Sequence, residues 1–357
     1  MELDRVLKVA VRGGASDVLL KTGTIPRFRF NGELVGLSDG KEITPEIMQK
    51  WVEHVLPPHL QQRLRTAGDV DFAYQIGTGH RFRVNLFRQR QTFGMVLRVI
   101  HPAVKSLQEM QMPDILAQLA NERRGLILVT GATGSGKSTT LASMVQQINM
   151  ERAAHIITIE DPIEFNFRDG CSTINQREIG SDSESFASAL RAALRQNPDV
   201  ILVGELRDQQ TTETALMAAE TGHLVLSTLH TIDAVETIMR LLSYFPASQH
   251  SVLRQMLAST LKAVISQRLV ARVDGQGMVA AHEILVVNAA ARDIILRSES
   301  FANLHTVITN GGETHGMTSF DASLLGLLER GVISREEALA QASQRDNMLL
   351  KMRGVTT

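Results

Sequence analysis

The stretch Gly131-Ala-Thr-Gly-Ser-Gly-Lys137-Ser138 constrains the fold of this chain more than any other feature. It satisfies G-x-x-x-x-G-K-[ST], follows the apolar run LILV at 126–129, and precedes a segment with Leu141, Val145 and Ile148 on one helical face. Strand, glycine-rich turn and helix in that order predict a phosphate loop. The glycines let backbone N–H groups surround phosphate oxygens, and the helix N-terminus favours the anion. Thr133, Gly134, Ser135, Gly136, Lys137, Ser138 and Thr139 are therefore the expected phosphate-binding residues, with Lys137 reaching the terminal phosphates and the Ser138 hydroxyl binding Mg²⁺.

The surrounding pattern predicts the sheet that such a loop needs. HIITIE (155–160), DVILVGE (199–205), HLVLSTLH (223–230) and HEILVV (282–287) are apolar runs of strand length that suit burial on both faces. Between them, Phe186, Ala189, Leu190, Ala193 and Leu194 repeat at helical spacing, and TTETALMAAETG closes on Gly222. Alternation of strand and helix predicts a mainly parallel, doubly wound α/β domain over 116–287. Residues 288–357 read as helices, including Ser334 as an N-cap before REEALAQA.

Residues 1–100 form a different module: an opening amphipathic helix, a Gly13-Gly14 turn, short strands around VLLK, RFRFNGELVGL and RFRVNLFRQR, and a helical stretch over 45–66. That pattern predicts a small α+β domain. Pro102 and Pro113 mark a connector over 101–115. Length alone, 357 residues, calls for two or three domains. Lys and Arg number 37 against 38 Asp and Glu, a balance that argues against a generally basic nucleic-acid coat. Cys171 is the only cysteine, so an intramolecular disulfide framework and a multi-thiolate zinc site are excluded and a reducing compartment is expected. A small, partly buried thiol is the reading for Cys171 itself. The longest stretch free of Asp, Glu, Lys and Arg is thirteen residues, too short to span a bilayer, so any membrane role is expected to be peripheral.

In an open α/β sheet ligands collect beyond the carboxyl ends of the strands, which is where Glu160, Glu164 and Glu205 fall. Glu205, after VILVG, occupies the place of a metal-side acid, whereas Glu160 and Glu164 are candidates for polarising the attacking water. A solvated strand-end acid is the alternative for each. His230 ends its strand and is a candidate for contact with the γ-phosphate, while His223 falls at the other end, near a subunit boundary; a capping or core histidine is the competing reading of both. In the first domain Arg81-Phe-Arg83-Val-Asn-Leu alternates with period two, placing guanidinium groups on one face. Arg81, Arg83 and Arg98 belong either to a solvated strand face or to a set that stabilises charge on a transferring phosphoryl group, with Arg177, Arg195 and Arg207 as second-domain candidates.

With these residues in view the sequence resembles the secretion-type ATPases, and among them the PilT-like retraction motors of bacterial type IV pili. GGASDVLLKTGTIPRFRFNGEL resembles the family's PAS-like N-terminal domain, GATGSGKSTTLASM its Walker A, IEDPIE its Asp box, ILVGELRD its Walker B and GHLVLSTLHT its His box. The resemblance implies a RecA-like second domain with a helical C-terminal extension, a homo-hexameric ring, ATP hydrolysis with Mg²⁺, and action on an inner-membrane pilus platform from its cytoplasmic face, alongside related pilus ATPases. It makes Lys137 and Ser138 phosphate and metal ligands, Glu205 the Walker B acid and second metal-side residue, Glu160 and Glu164 the Asp-box acids, and His223 and His230 the His-box pair. His230 is then grouped with the catalytic residues and His223 with nucleotide binding. Arg81, Arg83 and Arg98 become the N-terminal arginines that serve the nucleotide. One motif departs from the family pattern: where A-I-R-N-L-I-R-E is usual, Ala290-Ala-Arg-Asp-Ile-Ile-Leu-Arg297 keeps Ala290, Arg292 and Ile295 and shifts the second arginine. PilU-like accessory and DotB-like secretion ATPases share the four core motifs and are the alternatives within the family. Extension-type ATPases usually carry a tetracysteine zinc motif that this chain lacks.

Two other classes compete. A nucleic-acid motor would need a basic, salt-sensitive surface and stacking platforms, and only 4% of the residues are aromatic. A scaffold that binds nucleotide without hydrolysing it is disfavoured by the presence of Lys137, Ser138, Glu205 and the Asp-box acids.

Overall fold

The computed structural model describes residues 2–353 except 31, 38, 39, 101–103, 276, 298 and 299. The chain divides into two compact units, 1–103 with 162–166, and 104–161 with 167–357. The chain break expected near His101 and Pro102, with the first residues of the connector, lies outside the described residues.

In the first unit six described strands form one antiparallel sheet: β1 (Asp17–Lys21), β2 (Arg27–Phe30), β3 (Glu33–Gly36), β4 (Asp69–Gln75), β5 (Arg81–Gln89) and β6 (Thr92–Ile100), in the order β3-β2-β1-β6-β5-β4. Alternation decides the faces. Phe82, Val84 and Leu86 of β5 and Met95, Leu97 and Val99 of β6 point inward, where Leu3, Val6, Leu7 and Ala10 of the opening helix and Met48, Trp51 and Val52 of a second helix pack on them. The helical stretch expected over 45–66 is two helices, Pro45–Val55 and Gln61–Ala67, because Pro57 and Pro58 interrupt it with a turn of 3₁₀ helix. Strands β4 and β6 are additional to those expected from the sequence.

The second unit is built on seven described strands: β7 (Gly125–Thr130), β8 (His155–Glu160), β9 (Thr173–Glu178), β10 (Val200–Val203), β11 (Leu224–Leu229), β12 (Leu261–Ala271) and β13 (Met278–Val286). Their order is β13-β12-β7-β11-β10-β8-β9, parallel throughout except for the antiparallel β12–β13 pair. All residues of β7, β10 and β11 are buried, as their continuous apolar runs require. Helix Lys137–Glu151 packs Leu141, Met144, Val145 and Ile148 on one face of the sheet, while helices Gln209–Glu220, Ala234–Ser243 and His250–Thr260 cover the other. Each fully buried Leu, Ile or Val contributes about 1.5–3 kcal/mol of transfer free energy. This is the doubly wound RecA-like architecture.

The sheet's β13 edge is covered. Ile284 N–H donates to the Thr318 carbonyl (2.8 Å) in an isolated antiparallel bridge and His282 N–H to the Ser323 hydroxyl of helix Phe320–Glu329 (3.1 Å), so residues beyond 288 blunt an otherwise open edge. Ser334 caps helix Arg335–Gln341 by accepting from Glu337 N–H. Cys171 departs from the sequence reading: it is exposed. Cys171 N–H and Ser172 N–H both donate to the Asn149 carbonyl, which fastens this bend by its backbone at the end of helix Lys137–Glu151 and leaves the thiol outside.

Candidate functional site

Three strand ends and the glycine-rich loop converge in the second unit. Glycine is required at both ends of the loop. Gly131 has φ 143° and Gly136 φ 88°, and a Cβ at Gly131 would run into the Gln267 carbonyl oxygen and lie 2.6 Å from Ser135 Oγ. Ala132, Thr133, Gly134 and Ser138 are exposed at the loop's mouth, Thr139 is half-buried, and Ser135 and Lys137 are buried. Helix Lys137–Glu151 starts at Gly136 without a side-chain cap. The positive end of its dipole is thus left to an incoming anion.

Lys137 Nζ donates to the carbonyls of Gly131 (2.8 Å) and Ala132 (3.0 Å) and lies 3.5 Å from His230 Nδ1. His230 Nε2 in turn lies 3.3 Å from Glu205 Oε2, which also accepts from Arg207 Nε at 2.8 Å. An ammonium has only donors, so Nδ1 of the imidazole faces Lys137 as an acceptor while Nε2 faces the Glu205 carboxylate, which sets the three side chains in a row from Lys137 through His230 to Glu205.

Local structure pins each member. Gly204 N–H donates to the Ile159 carbonyl (2.8 Å), and a Cβ there would lie 3.3 Å from that oxygen, so glycine lets the end of β10 approach β8. Thr228 Oγ1 donates to the Gly204 carbonyl (2.7 Å) and Leu206 N–H to the Thr228 carbonyl (3.1 Å), which fixes Glu205 from the β11 side. Beyond it Asp208 caps helix Gln209–Glu220, accepting from Thr211 N–H at 2.8 Å. Glu160 ends β8, with Oε1 accepting from Thr158 Oγ1 (2.6 Å) and Gln176 Nε2 (3.2 Å).

The remaining expected residues lie elsewhere. His223 precedes β11 at the end opposite His230, its Nδ1 donating to the Ala218 carbonyl (2.9 Å) beside the end of helix Gln209–Glu220. Within one chain it is not brought to the phosphate loop. Arg207 is the one of the three second-domain arginines found against Glu205; Arg177 donates from β9 to the Asp182 carbonyl and Arg195 to the Arg191 carbonyl. In the first unit Arg83 and Arg98 are register partners on the outward sheet face. Arg98 Nε donates to Asp17 Oδ1 (3.0 Å) and Arg83 lies 4.0 Å from Asp71, with Arg81 two residues along the same face. Glu164 belongs to segment 162–166, which groups with the first unit.

Gln267 is the site residue that sequence reasoning missed. It lies on β12, is 2% exposed, donates from Nε2 to the Ser135 carbonyl (2.6 Å) and accepts at Oε1 from Thr140 Oγ1 (2.8 Å). The available signal was a polar Ser-Gln-Arg interruption in an otherwise apolar run at 263–271.

The donor set fits a nucleotide with Mg²⁺. Ser135 Oγ is buried with no hydrogen-bond partner among the described residues, as suits a hydroxyl awaiting a phosphate oxygen. No cluster of three or more His, Cys, Asp or Glu that could cage a metal occurs among the described residues. Mg²⁺ does not need one, since it binds through one or two protein oxygens, phosphate oxygens and water, and the hydroxyl of Ser138 and the carboxylate of Glu205 are hard oxygen donors of that kind.

Residues 2–328 match the family model described as type II/IV secretion system protein. The chain is 40% identical to a type IV pilus retraction ATPase, PilT of Pseudomonas aeruginosa, over 97% of this chain and 100% of that protein. It is 37% identical to the type IV pilus ATPase PilU of the same organism, over 99% of this chain and 92% of the other. The crystal structure of the pilus retraction motor PilT with bound ADP superposes with a TM-score of 0.89 at 41% identity, covering 97% of this chain and 98% of that one.

Proposed function

The chain belongs to the family of type II/IV secretion system proteins, and from that premise we propose that it is an ATP-hydrolysing motor that retracts type IV pili. The observation that carries this reading is the Lys137–His230–Glu205 chain at the mouth of the phosphate loop, in a protein similar along its whole length to a pilus retraction ATPase. In this mechanism Lys137 exchanges its Gly131 and Ala132 carbonyls for phosphate oxygens, and Ser138 and Glu205 would hold Mg²⁺, which would supply positive charge beside the phosphates. Glu160, oriented by Thr158 and Gln176, and Glu164 are the candidates for directing water at the γ-phosphorus. His230, between Lys137 and Glu205, is the candidate for responding to loss of the γ-phosphate.

The motor is further proposed to be a homo-hexamer in which Arg81, Arg83 and Arg98 serve a nucleotide, with His223 near a subunit boundary. The connector over 101–115 would act as the hinge between a domain of residues 1–100 and the RecA-like domain of 116–287. Closure around ATP and reopening after hydrolysis would turn an inner-membrane platform from the cytoplasmic side. No helix among the described residues is long and apolar enough to cross a membrane. A PilU-like accessory role is the second reading, favoured by the comparable similarity to that protein.

Purified protein should release phosphate from ATP only with Mg²⁺, and Lys137→Ala should abolish the release; equal rates in both would end the enzymatic reading. Deletion in the encoding bacterium should give hyperpiliation with lost twitching, restored by wild type and not by Glu205→Gln. Lost secretion with normal pili would overturn the pilus assignment.

A further inference from the structure

We propose that Gln267 is a positioning residue that holds the phosphate loop in its anion-binding arrangement, an inference resting on the reading of that loop as a nucleotide site. Gln267 shares its strand face with Ala263 and Ile265, which belong to the apolar core under helix Lys137–Glu151. A carboxamide there loses its hydration and gains nothing over a hydrocarbon unless both its ends are satisfied. Both are: the donor end meets the Ser135 carbonyl, and the acceptor end meets the Thr140 hydroxyl. All three residues are at most 6% exposed, so water does not substitute for a missing partner.

The bond to Ser135 has a directional consequence. A trans peptide points its C=O and the following N–H in opposite directions. Holding the Ser135 carbonyl toward β12 therefore turns the Gly136 N–H away from β12, as a backbone donor to phosphate must be turned. At its other end the carboxamide reaches Thr140, whose N–H donates to the Gly136 carbonyl (3.0 Å) in the first turn of the helix. One side chain thus ties the loop to the helix that follows it. It also accounts for the glycine at the end of the motif, since Gln267 Nε2 would lie 2.7 Å from a Cβ at Gly136, whereas at Gly131 the space of a Cβ is taken by the backbone carbonyl of residue 267.

The test is titration of the full-length protein with a fluorescent ADP analogue and Mg²⁺, alongside steady-state ATPase kinetics. Gln267→Met keeps the length and removes both polar ends. It should weaken ADP about tenfold and raise KM for ATP by a similar factor, with kcat changed less than about threefold. Thr140→Val removes only the acceptor's partner and should weaken ADP about threefold. Gln267→Glu separates positioning from packing. Ionised, it repels both the Ser135 carbonyl and the nucleotide and should bind worse than Gln267→Met; protonated, its O–H restores the donor, and because burial raises a carboxyl's pKa its affinity relative to Gln267→Met should rise as pH falls from about 8 to about 6. Wild-type affinity within about twofold in Gln267→Met overturns the proposal. So does a ratio of Gln267→Glu to Gln267→Met affinity that does not rise as pH falls over that range. Should Gln267→Met fail to fold, unchanged affinity in Thr140→Val overturns it equally. Failure of the wild type to bind the analogue would instead remove the nucleotide reading on which the proposal stands.

Discussion

His282 lies wholly within the second unit, opposite Gln267 in the β12–β13 register, and its Nε2 is buried without a hydrogen-bond partner. Burial in apolar surroundings disfavours the imidazolium and lowers its pKa from 6.5 to about 4. The sign follows from proton counting: the unfolded chain takes up a proton near pH 6.5 that the folded chain refuses until about pH 4, so stability falls as pH drops through that window. With these two values the loss from this one residue is near zero at about pH 7.5 and about 1.4 kcal/mol at about pH 5.5. Glu283 next to it works in the opposite sense. Burial, with Asp233 adding repulsion, raises its carboxyl pKa against the opposing effects of the Ala234 N–H, His305 and Arg268. Its contribution is present at low pH and is lost as pH rises, and it is common to wild type and variant. Urea unfolding followed by circular dichroism on wild type and His282→Leu should therefore show wild type losing about 1.4 kcal/mol more than the variant between those two pH values. Trp51, the lone tryptophan, sits in the first unit's core, so its fluorescence reports whether the change is confined to the second unit. Equal pH slopes in the two proteins would refute the assignment of this loss to His282.

Gly131→Ala should lose nucleotide affinity by more than about tenfold, because the new methyl meets the Gln267 carbonyl and the backbone sits at φ 143°. The strain should cost about 1–3 kcal/mol of stability, and a binding titration paired with a melting curve separates the two effects. Phe82→Ala empties a fully buried position in the first unit and should cost that unit about 3–5 kcal/mol. Unfolding read at Trp51 should register the loss, and a midpoint equal to wild type would show that the cavity collapses.

The parts of this molecule that were legible in its sequence are those where one physical requirement dominates. Strands β7, β8, β10 and β11 are legible because burial on both faces demands unbroken apolar runs, and the carboxyl-end rule then brings Lys137, Glu205 and His230 together before any coordinate is known. Strand β9, Thr-Ile-Asn-Gln-Arg-Glu, escapes that logic because it is an edge strand paired only to β8 and is only partly buried, so polar residues are tolerated along it. Strand β12 escapes it for a more informative reason. Its Ser266-Gln267-Arg268 carries three obligations at once: Ser266 hydrogen-bonds Thr130, Gln267 holds the phosphate loop, and Arg268 stacks over Phe320 at 3.9 Å while donating to the Gln341 carbonyl. Each lowers the hydrophobicity of a strand that tertiary partners nonetheless bury. A periodicity argument therefore fails here because it counts apolar residues, while this strand is stabilised partly by polar groups whose hydrogen-bond partners lie more than seventy residues away in sequence. The same argument ranks sequence signals for site finding: a polar interruption in a core-strand run near a phosphate loop points to a residue that serves the loop, because burying it unpaired would cost about 1–3 kcal/mol.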